Sequence, residues 1–153
     1  SAEIRAKVRD LLKESLGGES REQGDEVFLD VALNFNLNRD TILRKDREKI
    51  ARACSALHAL FDNDKDLRNQ VEIWIEGHTD SDPITKSSFE TNRDLSIARA
   101  MAVLHYLVEE TGVPDEQCVV AGWGQYRPVA GGASKDSKSK NRRVEIVVHR
   151  PAK

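Results

Sequence analysis

Two apolar rhythms alternate along this chain of 153 residues, and their order restricts the fold more than any other feature. Val27, Leu29, Val31, Leu33 and Phe35 alternate with Phe28, Asp30, Ala32 and Asn34, a period of two that marks a half-buried strand. Ile50, Ala53, Cys54, Leu57, Leu60 and Phe61 then recur at helical spacing, until "DNDKD" breaks the pattern. Val71, Ile73 and Ile75 return to period two. A second helix is predicted from about Arg93 to Glu110, stopped by Thr111-Gly112-Val113-Pro114, where Gly and Pro supply the usual termination chemistry. "CVVAGWG" reads as a third short strand and "RRVEIVVHR" as a fourth, with "GGASKDSKSK" as a polar loop between them.

The order β-α-β-α-β-β predicts an α+β fold, a two-layer sandwich with two helices on one face of a four-stranded mixed sheet. Ile4, Val8, Leu11, Leu12 and Leu16 add an amino-terminal helix that Gly17-Gly18 would end. The expected division is a helix and linker over 1–24 and a domain over 25–153. Phe28, Trp74 and Val147 fall on the sheet's other face, so the amino-terminal helix or a second copy is expected to cover part of it.

A net charge of −2 and 5% aromatic content lack the basic stripe that nucleic-acid binding needs, so no nucleic-acid partner is expected. No apolar run approaches the roughly 18 residues that span a bilayer, and no signal peptide opens the chain. Ser1-Ala2 without an initiator Met suggests a piece of a longer protein whose export signal or anchor lies elsewhere. Cys54 and Cys118 are too few for a disulfide scaffold. A single bridge in an oxidising compartment and two free thiols both stay open.

Chemistry concentrates in "GHTDSDPITKSSFETNRDLSIARA", Gly77 to Ala100. Arg99 interrupts a helical row formed by Leu95, Ser96, Ala102 and Val103. A guanidinium cannot shed its charge, so partial burial there demands a carboxylate or carbonyl partners. Asp80 is the nearby acid, because the end of a strand faces the start of the helix that follows it. Either the two form an internal ion pair, or they hold opposite ends of a zwitterion. His78, Asp80 and Asp82 invite a metal, but the other three histidines fall in unrelated segments; no metal and no cofactor are expected. His78 is expected to tie down the strand end by hydrogen bonds. No nucleophile elbow or dinucleotide fingerprint is present.

Three motifs in order resemble the OmpA/MotB-type carboxyl-terminal domain family, from about Val27 to His149. They are Gly77-His78-Thr79-Asp80, Asn92-x-x-Leu95-Ser96-x-x-Arg99-Ala100, and Asn141-Arg142-Arg143-Val144-Glu145, with Gly122-x-Gly124 and Pro128 at the family's positions. The resemblance implies a non-catalytic module that binds peptidoglycan in the Gram-negative periplasm. On this chain Asp80 would take the side-chain ammonium of stem-peptide diaminopimelate and Arg99 a carboxylate, with contacts from Thr79 and Asn92. His78, Leu95, Ser96, Asn141, Arg142 and Arg143 would support them. The helix ahead of the first strand suggests a MotB-like stator subunit, implying a homodimer, an ion-channel stator partner and an inner-membrane anchor. The chain departs from the family in a longer Asp80–Asn92 loop containing Pro83. The alternative reading is a fold used for dimerisation or protein docking, with Asp80–Arg99 as an internal ion pair.

Overall fold

The computed structural model describes residues 3, 6, 7, 9, 10, 20–23, 26–35, 40, 42, 44–84 and 88–149. Strands β1 (Ser20–Gln23) and β2 (Glu26–Asn34) lead into helix α1 (Arg47–Asn63) and a single helical turn, α2 (Lys65–Arg68). Strand β3 (Glu72–Gly77), helix α3 (Asn92–Thr111), strand β4 (Cys118–Gly122), helix α4 (Lys135–Asn141) and strand β5 (Arg143–His149) complete the order. The sheet is mixed and runs β1-β2-β5-β3-β4, with β3 and β4 parallel and every other neighbour antiparallel. The α+β class holds.

Among the described residues the sheet carries one strand more than the four expected. Ser20–Gln23 lies within the stretch assigned to a linker, yet it pairs with β2 from Ser20↔Leu29 to Gln23↔Glu26. Its sequence, SREQ, has no apolar residue and so no period to detect; backbone pairing along the open edge of β2 makes it a strand. Helix α4 is a second difference, arising in what reads as loop. Ser134 caps it, its Oγ accepting from the Ser137 N–H at 3.1 Å.

Both long helices pack on the face carrying Ile73, Ile75, Val144, Ile146 and Val148. Helix α1 contributes Ile50, Ala53, Leu57 and Leu60, and α3 contributes Ala100, Val103 and Leu107, all buried. The start of α3 is a capping box: Thr91 Oγ1 accepts from the Asp94 N–H at 3.1 Å, and the Thr91 N–H donates to Asp94 Oδ2 at 3.2 Å. Such a cap is worth about 1 kcal/mol. Gly112, at φ 70°, ends the helix in the left-handed conformation that glycine adopts without a Cβ clash.

Glycine acts differently at the strand ends. A Cβ on Gly77 would lie 1.9 Å from the Ser96 carbonyl oxygen, and one on Gly122 would meet Ile97 and Ser96. Helix α3 is therefore pressed against the ends of β3 and β4, which sets the depth of Arg99, three residues beyond Ser96.

On the opposite face Val147 is buried and sits in register between Phe28 and Trp74. The apolar row predicted to cover that face falls outside the described residues. Glu3, Ala6, Lys7, Arg9 and Asp10 are helical, and Lys7 pairs with Asp64, just past α1.

Candidate functional site

Because β5 runs antiparallel to β2 and β3, its start meets their ends, and parallel β4 ends beside β3. Phe35, residues 78–84 and 88–91, the turn at 123–126 and Arg142 therefore converge at one edge. Crevices beyond strand ends are where open sheets of this kind bind ligands.

Asp80 is buried at that edge. Its Oδ2 accepts from Arg142 Nη1 at 2.9 Å and its Oδ1 from the Asp82 N–H at 3.0 Å. Arg142 also donates from Nε to the Phe35 carbonyl at 2.9 Å, joining the end of β2 to the loop after β3. Lys138 adds a second ion pair from α4, to Asp82 at 3.0 Å.

Arg99 is 0% exposed, deeper than the partial burial expected of it. Its Nη1 donates to the His78 carbonyl at 3.1 Å, and its guanidinium carbon lies 5.2 Å from the centre of the Phe35 ring. Burial pushes its pKa down to about 10, helped by the charge of Arg142 and opposed by Asp80 and Asp40. It remains a cation at neutral pH. Asp80 thus feels Arg99 without bonding to it, since its own salt bridge goes to Arg142. An internal Asp80–Arg99 pair is not the arrangement found.

Thr79 and Asn92 shape the loop. Thr79 is buried, its N–H donating to the Gly124 carbonyl at 2.9 Å and its Oγ1 to the Asp80 carbonyl at 2.8 Å. Asn92 Nδ2 donates to the Asp82 carbonyl and to Gln125 Oε1, both at 3.0 Å. Ser96 accepts from the Gly124 N–H at 3.0 Å, and Leu95 is buried. Asn141 holds a loop instead, bonding Val129 and Ala130. Arg143 points to the other sheet face, donating to Glu145 and to the Arg127 carbonyl.

The tie made by His78 is through its backbone, not its ring. Its N–H donates to the Arg143 carbonyl at 2.9 Å, whereas neither buried ring nitrogen has a hydrogen-bond partner. Burial, then Arg143, pushes its pKa down to about 4, with Glu145 opposing and Arg127 assisting. The native ring stays neutral where the unfolded chain, with an ordinary pKa near 6.5, takes up a proton. Stability is therefore complete above about pH 6.5 and is lost as pH falls toward about 4, by up to roughly 3 kcal/mol from this group. Denaturant midpoints at pH 7 and 4.5 are expected to show a larger acid loss in the parent than in His78→Phe; equal losses contradict the assignment.

Both cysteines are free, and burial pushes each thiol up to about 11, so neither is a thiolate at neutral pH. Among the described residues no group of three His, Cys, Asp or Glu is placed to hold a metal. Gln125, Lys138 and α4 escaped sequence reading. The available signal was Ser134 followed by Asp136 and then Lys138 and Lys140, a capped helix start with basic residues toward its end.

Residues 34–142 match the OmpA family. The chain is 31% identical over 137 residues to Motility protein B of Bacillus subtilis, covering 90% of this chain and 49% of that protein. It is 39% identical over 92 residues to the Peptidoglycan-associated lipoprotein of Pseudomonas aeruginosa, covering 60% of this chain and 52% of that one. The chain thus spans about half the length of these curated relatives. The periplasmic domain of Helicobacter pylori MotB is similar at a TM-score of 0.72 and 26% identity, with 87% of this chain and 82% of that one covered.

Proposed function

The chain belongs to the OmpA family, and we propose that it is a non-catalytic module that binds peptidoglycan through stem-peptide diaminopimelate, anchoring a stator-like membrane complex to the cell wall. The observation that carries this reading is the charge layout at the sheet edge. One carboxylate, Asp80, stands beside two guanidinium groups without being bonded to the deeper one. A zwitterionic amino-acid end needs a fixed anion and a fixed cation that have not collapsed together.

Asp80 accepts the ligand ammonium, sharing its carboxylate with Arg142. The ligand carboxylate is taken by the guanidinium groups, with Arg142 at the mouth and Arg99 on the floor. Because Arg99 is sealed and stacked against Phe35, reaching it requires that edge to open. Thr79 and Asn92 hold the loop in shape. Asp82, at the start of the longer loop with Pro83, is braced by Asn92 through its carbonyl.

Two charge-assisted contacts at about 1.5–3 kcal/mol each give roughly 3–6 kcal/mol before ordering costs. That corresponds to affinities between tens of micromolar and millimolar. A homodimer on a polymeric wall compensates through effective concentration, which suits anchoring rather than turnover. The names of the relatives support this setting: one is a motility protein, one is peptidoglycan-associated, and the similar structure is a periplasmic domain. The domain sits in the periplasm, its inner-membrane anchor and ion-channel partner belonging to the remainder of a longer protein.

The test is co-sedimentation with purified sacculi and calorimetric titration with meso-diaminopimelate. The parent is expected to sediment and to be displaced by millimolar diaminopimelate. Arg99→Met is expected to lose at least tenfold in diaminopimelate affinity at a temperature where it is folded. No binding by the parent overturns the anchoring reading, and unchanged affinity in Arg99→Met overturns the role of that residue.

A further inference from the structure

A cavity of about 440 Å3 adjoins the Asp80 site across Asn92, and we infer that it seats an uncharged sugar of the glycan strand, stacked on Tyr126. This rests on the anchoring reading, because the sugar is the part of peptidoglycan covalently joined to the stem peptide. Ile84, Glu90, Asn92, Arg93, Gln125 and Tyr126 line the cavity, and its volume falls in the range of small-molecule sites.

The lining decides the ligand class. Tyr126 is 68% exposed, more than the other exposed large apolar side chains, Ile97 and Val129. Its backbone is nevertheless tied down, and a cation flanks its ring. Its N–H donates to the Trp123 carbonyl at 3.3 Å, and the Arg93 guanidinium lies 5.6 Å from its ring centre. Arg93 is itself held by the Gly122 carbonyl at 2.8 Å. An open ring on an anchored turn is a platform for the C–H face of a pyranose.

Around that ring stand hydrogen-bonding groups with capacity to spare. Asn92 spends its amide N–H groups on the Asp82 carbonyl and Gln125 Oε1, which leaves its own oxygen and the Gln125 amide N–H groups for hydroxyl or acetamido partners. Glu90 adds an acceptor. Among the described lining residues there is one acid, Glu90, and one base, Arg93, and that base is already engaged. That balance favours a neutral, hydroxyl-rich ligand over a second stem peptide.

Geometry links the two sites. The Asn92 side chain is at once a wall of this cavity and the brace of the Asp80–Asp82 loop. A ligand holding diaminopimelate at Asp80 would pass over that brace to place its sugar on Tyr126.

The experiment is calorimetric titration of the parent, Tyr126→Ala and Tyr126→Phe with three probes: meso-diaminopimelate, the stem tripeptide, and the same tripeptide carrying its N-acetylglucosamine–N-acetylmuramic acid disaccharide. The disaccharide is expected to strengthen tripeptide binding by the parent about three- to tenfold, the size of one aromatic platform. Tyr126→Ala is expected to erase that gain while its meso-diaminopimelate affinity stays within about twofold of the parent; Tyr126→Phe keeps the gain, since the ring face and not the hydroxyl does the stacking. Absence of a disaccharide gain in the parent, or a gain that survives Tyr126→Ala, overturns the inference. So does a gain over meso-diaminopimelate that the tripeptide already provides in full and that Tyr126→Ala removes. If the parent binds meso-diaminopimelate but shows no gain, the anchoring reading stands and only the sugar site falls. Failure to bind any probe removes both.

Discussion

Gly77→Ala is expected to destabilise the domain by about 3 kcal/mol or more, a fall in melting temperature of roughly 10 °C, although it adds one methyl group. That methyl would lie 1.9 Å from the Ser96 carbonyl oxygen, 2.8 Å from its carbonyl carbon and 3.3 Å from its Cα. All three are backbone atoms inside a helix, so no side chain can rotate away. Either the first turns of α3 lift off β3 or the strand end bends. Both responses displace Arg99, whose Nη1 reaches the carbonyl of the residue next to Gly77. Wall binding is therefore expected to fall beyond what the unfolded fraction explains. Gly131→Ala is the matched control, because a Cβ there meets nothing within 4 Å, and its melting temperature is expected to stay within about 1 °C of the parent. Equal melting temperatures for the two variants would falsify the close-packing account.

Asp80→Asn is expected to abolish detectable sacculus binding and to cost about 3 kcal/mol of stability. The stability loss comes from Arg142, left nearly buried beside Arg99 with no anion between them; removing one member of a buried pair typically costs about 3–5 kcal/mol. Asparagine keeps an oxygen that can accept from the Asp82 N–H, so the loop turn should survive. Binding and folding are separated by adding Arg142→Met. Relieving the unpaired cation is expected to restore roughly half or more of the lost stability, because the two substitutions share one interaction. Sacculus binding is expected to stay absent, since the ammonium still has no carboxylate to meet. A double variant that regains both stability and binding would show Asp80 to be structural only, and the peptidoglycan site would have to lie elsewhere.

Much of this arrangement was legible before any coordinates. Strands β2, β3 and β5 announce themselves because they are apolar at every second position, and α3 because Leu95, Val103 and Leu107 recur at helical spacing. Gly112, followed by Pro114, marks its end by local turn chemistry alone. Strand β1 was not legible. A strand with no apolar residue leaves no pattern, and what stabilises it is backbone pairing with the open edge of β2. Helix α4 was hidden for a related reason, since KDSKSKN is polar throughout and its only signature is a serine cap.

The candidate site divides the same way. Asp80 and Arg99 stand out because a carboxylate at a strand end and a cation in an apolar row are each anomalous in their local setting. Arg142 appears only as part of a motif, and nothing local says that it, rather than Arg99, holds Asp80. The sequence by itself determined the two long helices and strands β2 to β5, their order, and the two anomalous charges Asp80 and Arg99, because these follow from side-chain period and local turn chemistry. The tertiary structure alone decided which cation meets Asp80, how deep Arg99 lies and that Tyr126 stands beside Asn92. Those outcomes depend on the register of β5 against β2 and β3 and on the press of α3 against Gly77. Coulomb attraction and hydrogen bonding act through space over a few ångströms, and residues 62 positions apart, such as Asp80 and Arg142, come that close only when the sheet is assembled.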